Sequence, residues 1–248
     1  MAKSLIQLSK YTTPLHRFLP ASLKLYIKRK SVRELVSIEE LKPHLERSCQ
    51  YLADKIGEES IGDYLEFGVA HGTSLNCMYQ VLNGRNYDHI RLFGFDSFEG
   101  LPALSDKDDS EVWSKGLFKS DIDVTKYYLT QNGIDWERTF LIEGWFSYTL
   151  NESLKKEYNI EKAGIIMIDS DIYSSAKEAL QFCESLIKDV VIIIFDDWRS
   201  GNLDQKNKGE KLAFTEFMNE NPHLSAKEFG TYSFEGKPNG KLFIVEKI

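Results

Sequence analysis

Two apolar runs in this sequence end in paired carboxylates. Residues 165–168 are followed by Asp169 and Asp171, and residues 190–195 by Asp196 and Asp197. Ionised carboxylates are rarely buried unless paired or bound to a cation. If the runs are adjacent strands, the four groups converge, and their repulsion calls for a proton or a metal. An all-oxygen donor set suits Mg2+, Mn2+ or Ca2+, not zinc. Helix capping by Asp171 or Ser174 is the plain alternative. It leaves Asp169 and the second pair unexplained.

Three other clusters carry chemistry. In "LEFGVAHGTS", Glu66 and Gly68 close an apolar run, and Gly72, Thr73 and Ser74 open a helical pattern. Glycines let a ligand approach the backbone, and a helix N-terminus favours a carboxylate or phosphate. The spacing is G-x-x-x-G, which lacks the third glycine of the dinucleotide fingerprint and weakens an NAD reading. His71 lies in this loop, either facing a ligand or as an ordinary loop histidine. In "FGFDSFEGLP", Asp96 ends a run where an acidic residue can accept bonds from two ribose hydroxyls, and Ser97 follows. In "IEGWFSYTL", Glu143, Gly144 and Trp145 end another run. Trp145 can pack on a flat heterocycle, with Glu143 or a backbone group bonding its amine. Ordinary core packing is the alternative for the Trp.

These residues need elements to position them. Apolar runs at 63–68, 90–96, 139–144, 163–169 and 190–197 alternate with helical patterns at 74–83, 121–132, 149–158, 174–188 and 209–219. The runs show little polar alternation, as in strands covered on both faces. Strand–helix alternation of this kind implies an α/β fold with a doubly wound, mostly parallel sheet. Ligands in such sheets bind beyond the carboxyl ends of the strands, and every cluster above sits at one. Two C-terminal runs, joined by a turn signal at Pro238, Asn239 and Gly240, read as an antiparallel pair at the sheet edge. Upstream, 33–57 reads as helix, with Pro43 placed to start a new one. The division is therefore an N-terminal helical extension over 1–58 and a catalytic domain over 59–248.

The bulk composition sets limits. A chain of 248 residues, 42% hydrophobic, can bury one large α/β core. The net charge of −7 argues against a general nucleic-acid binder. Residues 1–33 hold eight basic and no acidic side chains, so that arm is +8 and the remainder −15. A solvated helical extension is the usual meaning of such a run; an anionic partner, membrane or substrate is the other. Cys49, Cys77 and Cys183 lack C-x-x-C spacing, which argues against thiolate metal sites and disulfides and fits a cytoplasmic protein. No apolar stretch approaches the roughly 20 residues of a membrane span, so no transmembrane segment is expected.

Taken in order, "YLEFGVAHGTS", "FGFDSFEGLP", "EGWFSYTL", "IDSDIYSSAKEAL" and "IIIFDDW" resemble the macrocin O-methyltransferase family over roughly residues 60–220. These are class I S-adenosylmethionine (SAM) enzymes, many of which methylate sugar hydroxyls on natural products. The resemblance implies a seven-stranded Rossmann-like sheet. It implies that Glu66, Gly68 and Gly72 hold the methionine part of SAM, that Asp96 binds ribose, and that Glu143, Gly144 and Trp145 lie by the adenine. It carries Mg2+ over to Asp171, Asp196 and Asp197 and makes Asp169 the general base. A related reading puts Asp169 on the metal instead.

The function expected is SAM- and metal-dependent O-methylation of a sugar or polyhydroxylated metabolite. The basic arm suits a nucleotide-linked or phosphorylated acceptor, and the N-terminal helices suit a lid or a homodimer contact. A metal-dependent glycosyltransferase, which also uses D-x-D, and a SAM-binding protein without turnover are the rival classes.

Overall fold

The computed structural model describes residues 32–248. Most of the basic arm, with the role toward an anionic acceptor assigned to it, lies outside the described residues. Helix α1 (Ile38–Ile56) leads into strand β1 (Asp63–Phe67), helix α2 (Thr73–Gly84), β2 (Leu92–Asp96), α3 (Ile122–Gln131) and β3 (Thr139–Glu143). Two short helices, α4 (Phe146–Thr149) and α5 (Glu152–Glu157), precede β4 (Ala163–Ile168), α6 (Tyr173–Cys183) and β5 (Val190–Phe195). The chain ends with α7 (Leu203–Lys206), α8 (Gly209–Glu220) and a hairpin of β6 (Leu224–Phe234) and β7 (Lys237–Lys247). Among the described residues no helix is long and apolar enough to cross a membrane.

The seven strands form one sheet in the order β3-β2-β1-β4-β5-β7-β6. The first five are parallel; β7 runs antiparallel to β5, and β6 antiparallel to β7. Strands β1, β4 and β5 are buried along their whole length, which in β4 and β5 explains the unbroken apolar sequences. Period-two alternation divides their side chains between two core layers. Tyr64, Met167, Ile192 and Ile194 face α1 and α2, while Phe67, Ile166, Ile193 and Phe195 face α6 and α8.

Helix α1 belongs to the first layer. Its stripe of Leu41, Leu45, Cys49 and Leu52 is fully buried beside Tyr64, Met78 and Leu82. The segment read as an extension therefore supplies a wall of the core. The helix runs through Pro43 without restarting. Buried leucines on both sides of the proline hold the two turns in line, outweighing one lost backbone bond.

Local differences from the expected elements have local causes. The helix expected over 149–158 is split into α4 and α5, with Asn151 capping α5 by accepting from Leu154 N–H at 3.0 Å. The hairpin turns at Glu235 and Gly236, not at 238–240; both turn residues have positive φ, 49° and 73°. A two-residue hairpin loop needs that conformation at both positions, and Glu-Gly supplies it. Gly240 is a strand residue lying under the Tyr232 ring, where a Cβ would come within 2.1 Å of a ring atom.

Strand register sets the site. Phe67 pairs with Phe95 and Ile168, Ile168 with Phe195, and Asp96 with Glu143. The next residues, Gly68, Asp169 and Asp196, thus emerge along one edge of the sheet beside Asp96. Gly68 has φ 96°, and a Cβ there would sit 1.8 Å from the Asp169 carbonyl oxygen. Its backbone freedom is used to let β1 and β4 leave the sheet side by side. Gly68→Ala should therefore destabilise the fold by about 2–4 kcal/mol, from the clash and the left-handed backbone together. A urea unfolding midpoint equal to wild type would refute this account.

Candidate active site

The edge opens into a cavity of about 640 Å3. Of the residues singled out in sequence, Gly68, Asp96, Ser97, Trp145, Asp169, Asp171, Asp196 and Asp197 line it. Glu66, His71, Gly72, Thr73, Ser74, Glu143 and Gly144 are not on its wall.

Glu66 is fully buried beneath the glycine loop. Tyr64 hydroxyl donates to its Oε2 at 2.6 Å, and Ser74 hydroxyl to its Oε1 at 2.8 Å. It thereby ties β1 to the first turn of α2 and positions the loop. Burial pushes its carboxyl up to about 7, against the hydrogen bonds from Tyr64 and Ser74. His71 is half-buried, its imidazole held below its ordinary value chiefly by burial, and its Nδ1 has no partner. Gly72, at φ 79°, caps α2, which Thr73 and Ser74 begin.

Asp96 organises the same loop from the other side. Its Oδ2 accepts from Val69 N–H at 2.8 Å and Ala70 N–H at 2.7 Å, and its Oδ1 from Phe98 N–H at 2.6 Å. A carboxylate has about four acceptor sites, so a lone pair remains for a ligand in the cavity. Trp145 caps the short helix α4 and lines the cavity with Phe146 and Ser147. Glu143, by contrast, is exposed.

Oxygens of Asp169, Asp196 and Asp197 lie within 4.8 Å of one another. Asp171 is not in that set. Strand β4 ends at Ile168, and Asp171 turns into the left-handed region at φ 62°. Asp169 and Asp171 therefore do not share one face of an extended segment. Asp171 instead makes a side-chain hydrogen bond with Asp197. Burial, then the neighbouring carboxylates, pushes Asp169 and Asp171 well above the usual carboxylate range; Asp196 is raised to about 8 by burial and Asp197.

The supports of this cluster come from distant parts of the chain. Tyr232 on β6 donates its hydroxyl to Asp196 Oδ1, and Asn239 on β7 donates to the Asp196 carbonyl at 2.7 Å. Ser200 donates to Asp197 Oδ1. A fifth carboxylate, Glu210 on α8, has no exposure at all and accepts from Asp197 N–H at 3.0 Å, while its Oε1 has no partner. Burial and the nearby Asp197 and Asp196 raise it well above the usual range. Nothing in the local sequence around Glu210 marks it out.

The 25 residues between β2 and α3 form no helix or strand, yet they wall the cavity with Gly100, Leu101, Pro102, Ala103, Trp113 and Phe118. Three consecutive residues pin this segment. Lys107 Nζ meets Glu216 at 2.7 Å; Asp108 accepts from Ser174 N–H at 3.3 Å and Ser174 hydroxyl at 3.2 Å; Asp109 pairs with Lys206 at 2.8 Å. Asp108 thus caps α6 from 66 residues away. Sequence inspection finds caps only among adjacent residues, so it did not find this one.

The sequence profile described as Macrocin-O-methyltransferase (TylF) matches residues 44–221. The chain belongs to this family. A curated relative in Streptomyces olivaceus, 8-demethyl-8-(2,3-dimethoxy-alpha-L-rhamnosyl)-tetracenomycin-C 4'-O-methyltransferase, is 23% identical over 61% of this chain and 59% of its own. The chain therefore spans about three fifths of that relative's length. Among solved structures, the O-methyltransferase NovP superposes with a TM-score of 0.63 at 18% identity, covering 81% of this chain and 78% of its own. An O-methyltransferase from Bacillus cereus in complex with SAH gives 0.60 at 14% identity, with both chains fully covered. At these identities the two structures establish a shared class I methyltransferase fold.

Two outcomes follow for this macrocin O-methyltransferase family member. Glu66 binds its proton more tightly folded, with a value of about 7, than unfolded, near 4.5. Its contribution to stability is full below pH 4.5 and is lost as pH rises through 7, by about 3 kcal/mol. Thermal melts of Glu66→Gln across pH 4.5–7 should fall less steeply than wild type; parallel profiles would disprove the assignment. Asp108→Ala should cost about 1 kcal/mol as a lost cap and speed limited proteolysis within 97–120. Unchanged cleavage would show that the segment is held elsewhere.

Proposed function

We propose that the chain transfers a methyl group from SAM to a hydroxyl of a sugar-linked small molecule, with a divalent cation at the carboxylate cluster. The observation that carries this reading is the convergence of Asp169, Asp196 and Asp197 on one side of a cavity that also exposes Gly68, Asp96 and Trp145. Membership of the macrocin O-methyltransferase family and the rhamnosyl acceptor in the curated relative's name support it.

The residues present fit a divalent cation and SAM. Three carboxylates without nitrogen or sulfur donors suit a hard cation such as Mg2+. The glycine loop, the remaining acceptor capacity of Asp96, and Trp145 suit a nucleoside with a small charged tail. When bound, the cation would lower the pKa of a coordinated hydroxyl, and SAM would supply an electrophilic methyl.

The chain's own residues do the rest. Asp96 would accept from ribose hydroxyls, and Trp145 would pack on the base. Asp169, Asp196 and Asp197 would form the ligand set, a revision of the set carried over from sequence, because their oxygens are the ones that converge. Asp171 is then the carboxylate left to take the acceptor's proton. Trp113, Phe118 and the loop that carries them would exclude water from the reacting atoms.

The experiment is SAH calorimetry together with SAH release from SAM in the presence of Mg2+ and a panel of glycosylated and nucleotide-linked sugars. Wild type should bind SAH and turn over at least one acceptor. Asp171→Asn should keep SAH binding and lose about 10²- to 10⁴-fold in kcat. Undiminished turnover in EDTA would remove the metal from the proposal. Binding of a sugar nucleotide without SAH would favour the glycosyltransferase reading.

A further inference from the structure

The sequence offered Glu143 as the carboxylate beside the heterocycle, but in the structure Glu143 is exposed and does not line the cavity. Another carboxylate takes its place on the wall. Glu178 lies in the second turn of α6 and lines the cavity together with Ser174 and Ser175 of the same helix. These positions share one helical face, while Ala176, Ala179, Leu180 and Cys183 turn into the core. Phe182, one turn beyond Glu178 on α6, and Phe146, the residue after Trp145, both pack edge-on against the Phe67 ring, with centroids 6.1 and 5.8 Å away, so Glu178 stands on the Trp145 side of the cavity.

Every other acidic residue on that wall is occupied or at the rim. Asp96 holds three backbone N–H groups. Asp169, Asp171, Asp196 and Asp197 form the cluster, and Glu34 and Glu235 are exposed. Glu178 is half-buried, and burial alone raises its carboxyl; no cation or hydrogen-bond donor among the described residues offsets that cost. The neighbouring Lys177 is engaged by Glu216 at 3.0 Å and by Glu220. A half-buried carboxylate with acceptor capacity and no protein donor fits a ligand that brings an N–H.

We propose that Glu178 accepts a hydrogen bond from the exocyclic amine of the purine and selects a 6-amino over a 6-oxo base in the methyl donor. The inference rests on the SAM reading above and deepens it. An adenine presents two N–H donors at that position. The deaminated base presents a carbonyl oxygen, which the carboxylate would repel. A site built to bond an N–H discriminates strongly against a ligand that lacks it.

The test is calorimetric binding of SAH and of its deaminated analogue, S-inosylhomocysteine, to wild type, Glu178→Gln and Glu178→Ala. Wild type should prefer SAH by roughly 10- to 100-fold, the range of one hydrogen bond to a charged group. In Glu178→Gln, whose amide can either accept from the amine or donate to the carbonyl, the preference should shrink to within about 3-fold. Glu178→Ala should weaken SAH and leave the analogue nearly unchanged. Preference retained in both variants would overturn the role of Glu178 alone. Failure of wild type to bind SAH at all would overturn the methyl-donor reading and this inference with it. Equal melting temperatures of the three proteins would show that binding, not folding, is compared.

Discussion

The constraint on which the rest depends is the burial of five carboxylates around the ends of β4 and β5. Asp169, Asp171, Asp196, Asp197 and Glu210 share a low-dielectric volume in which like charges cannot all ionise without compensation. Much of the surrounding architecture can be understood as that compensation. Tyr232 and Ser200 give hydroxyl donors to Asp196 and Asp197, Asn239 fixes the backbone between strand and turn, and Glu210 holds the Asp197 N–H. These bonds orient the carboxylates but do not neutralise them. Protons or a cation must complete the site, and the side-chain hydrogen bond between Asp171 and Asp197 requires one proton between those two groups.

The cavity is built in two parts. Its floor is rigid, because strand register and the close approach of Gly68 to Asp169 fix where each chain leaves the sheet. Its wall is a long irregular segment held by side-chain bonds from 107–109 to α6, α7 and α8. A precise floor under a separately fastened wall lets the carboxylates stay put while the residues of the wall differ.

What was legible in sequence follows from what is local. Strands β4 and β5 read clearly because both faces are covered, so Ala163–Ile168 and Val190–Phe195 are unbroken. The cluster read clearly because carboxylates beside such runs are conspicuous. Turn chemistry misled at 238–240, where Gly240 answers a tertiary need, the Tyr232 ring, and not a turn. Pro43 misled because packing on both sides outweighs local propensity. The turn at Asp171 was not legible because nothing local marks the residue where β4 stops. Glu210 and the Asp108 cap were invisible, since each acts on a partner far away along the chain. Glu178 was hidden in an ordinary amphipathic pattern that gave no sign of which polar face met a cavity.

The terminal hairpin gives the site an order of assembly. Asp196 receives its side-chain donor from Tyr232 and its backbone anchor from Asn239, both within the last seventeen residues of the chain. During synthesis, β1 through β5 leave the ribosome before either partner exists. The acidic edge is therefore the last part of the sheet to be completed, and a chain clipped ahead of β6 would keep its five parallel strands and its glycine loop while losing both supports of Asp196.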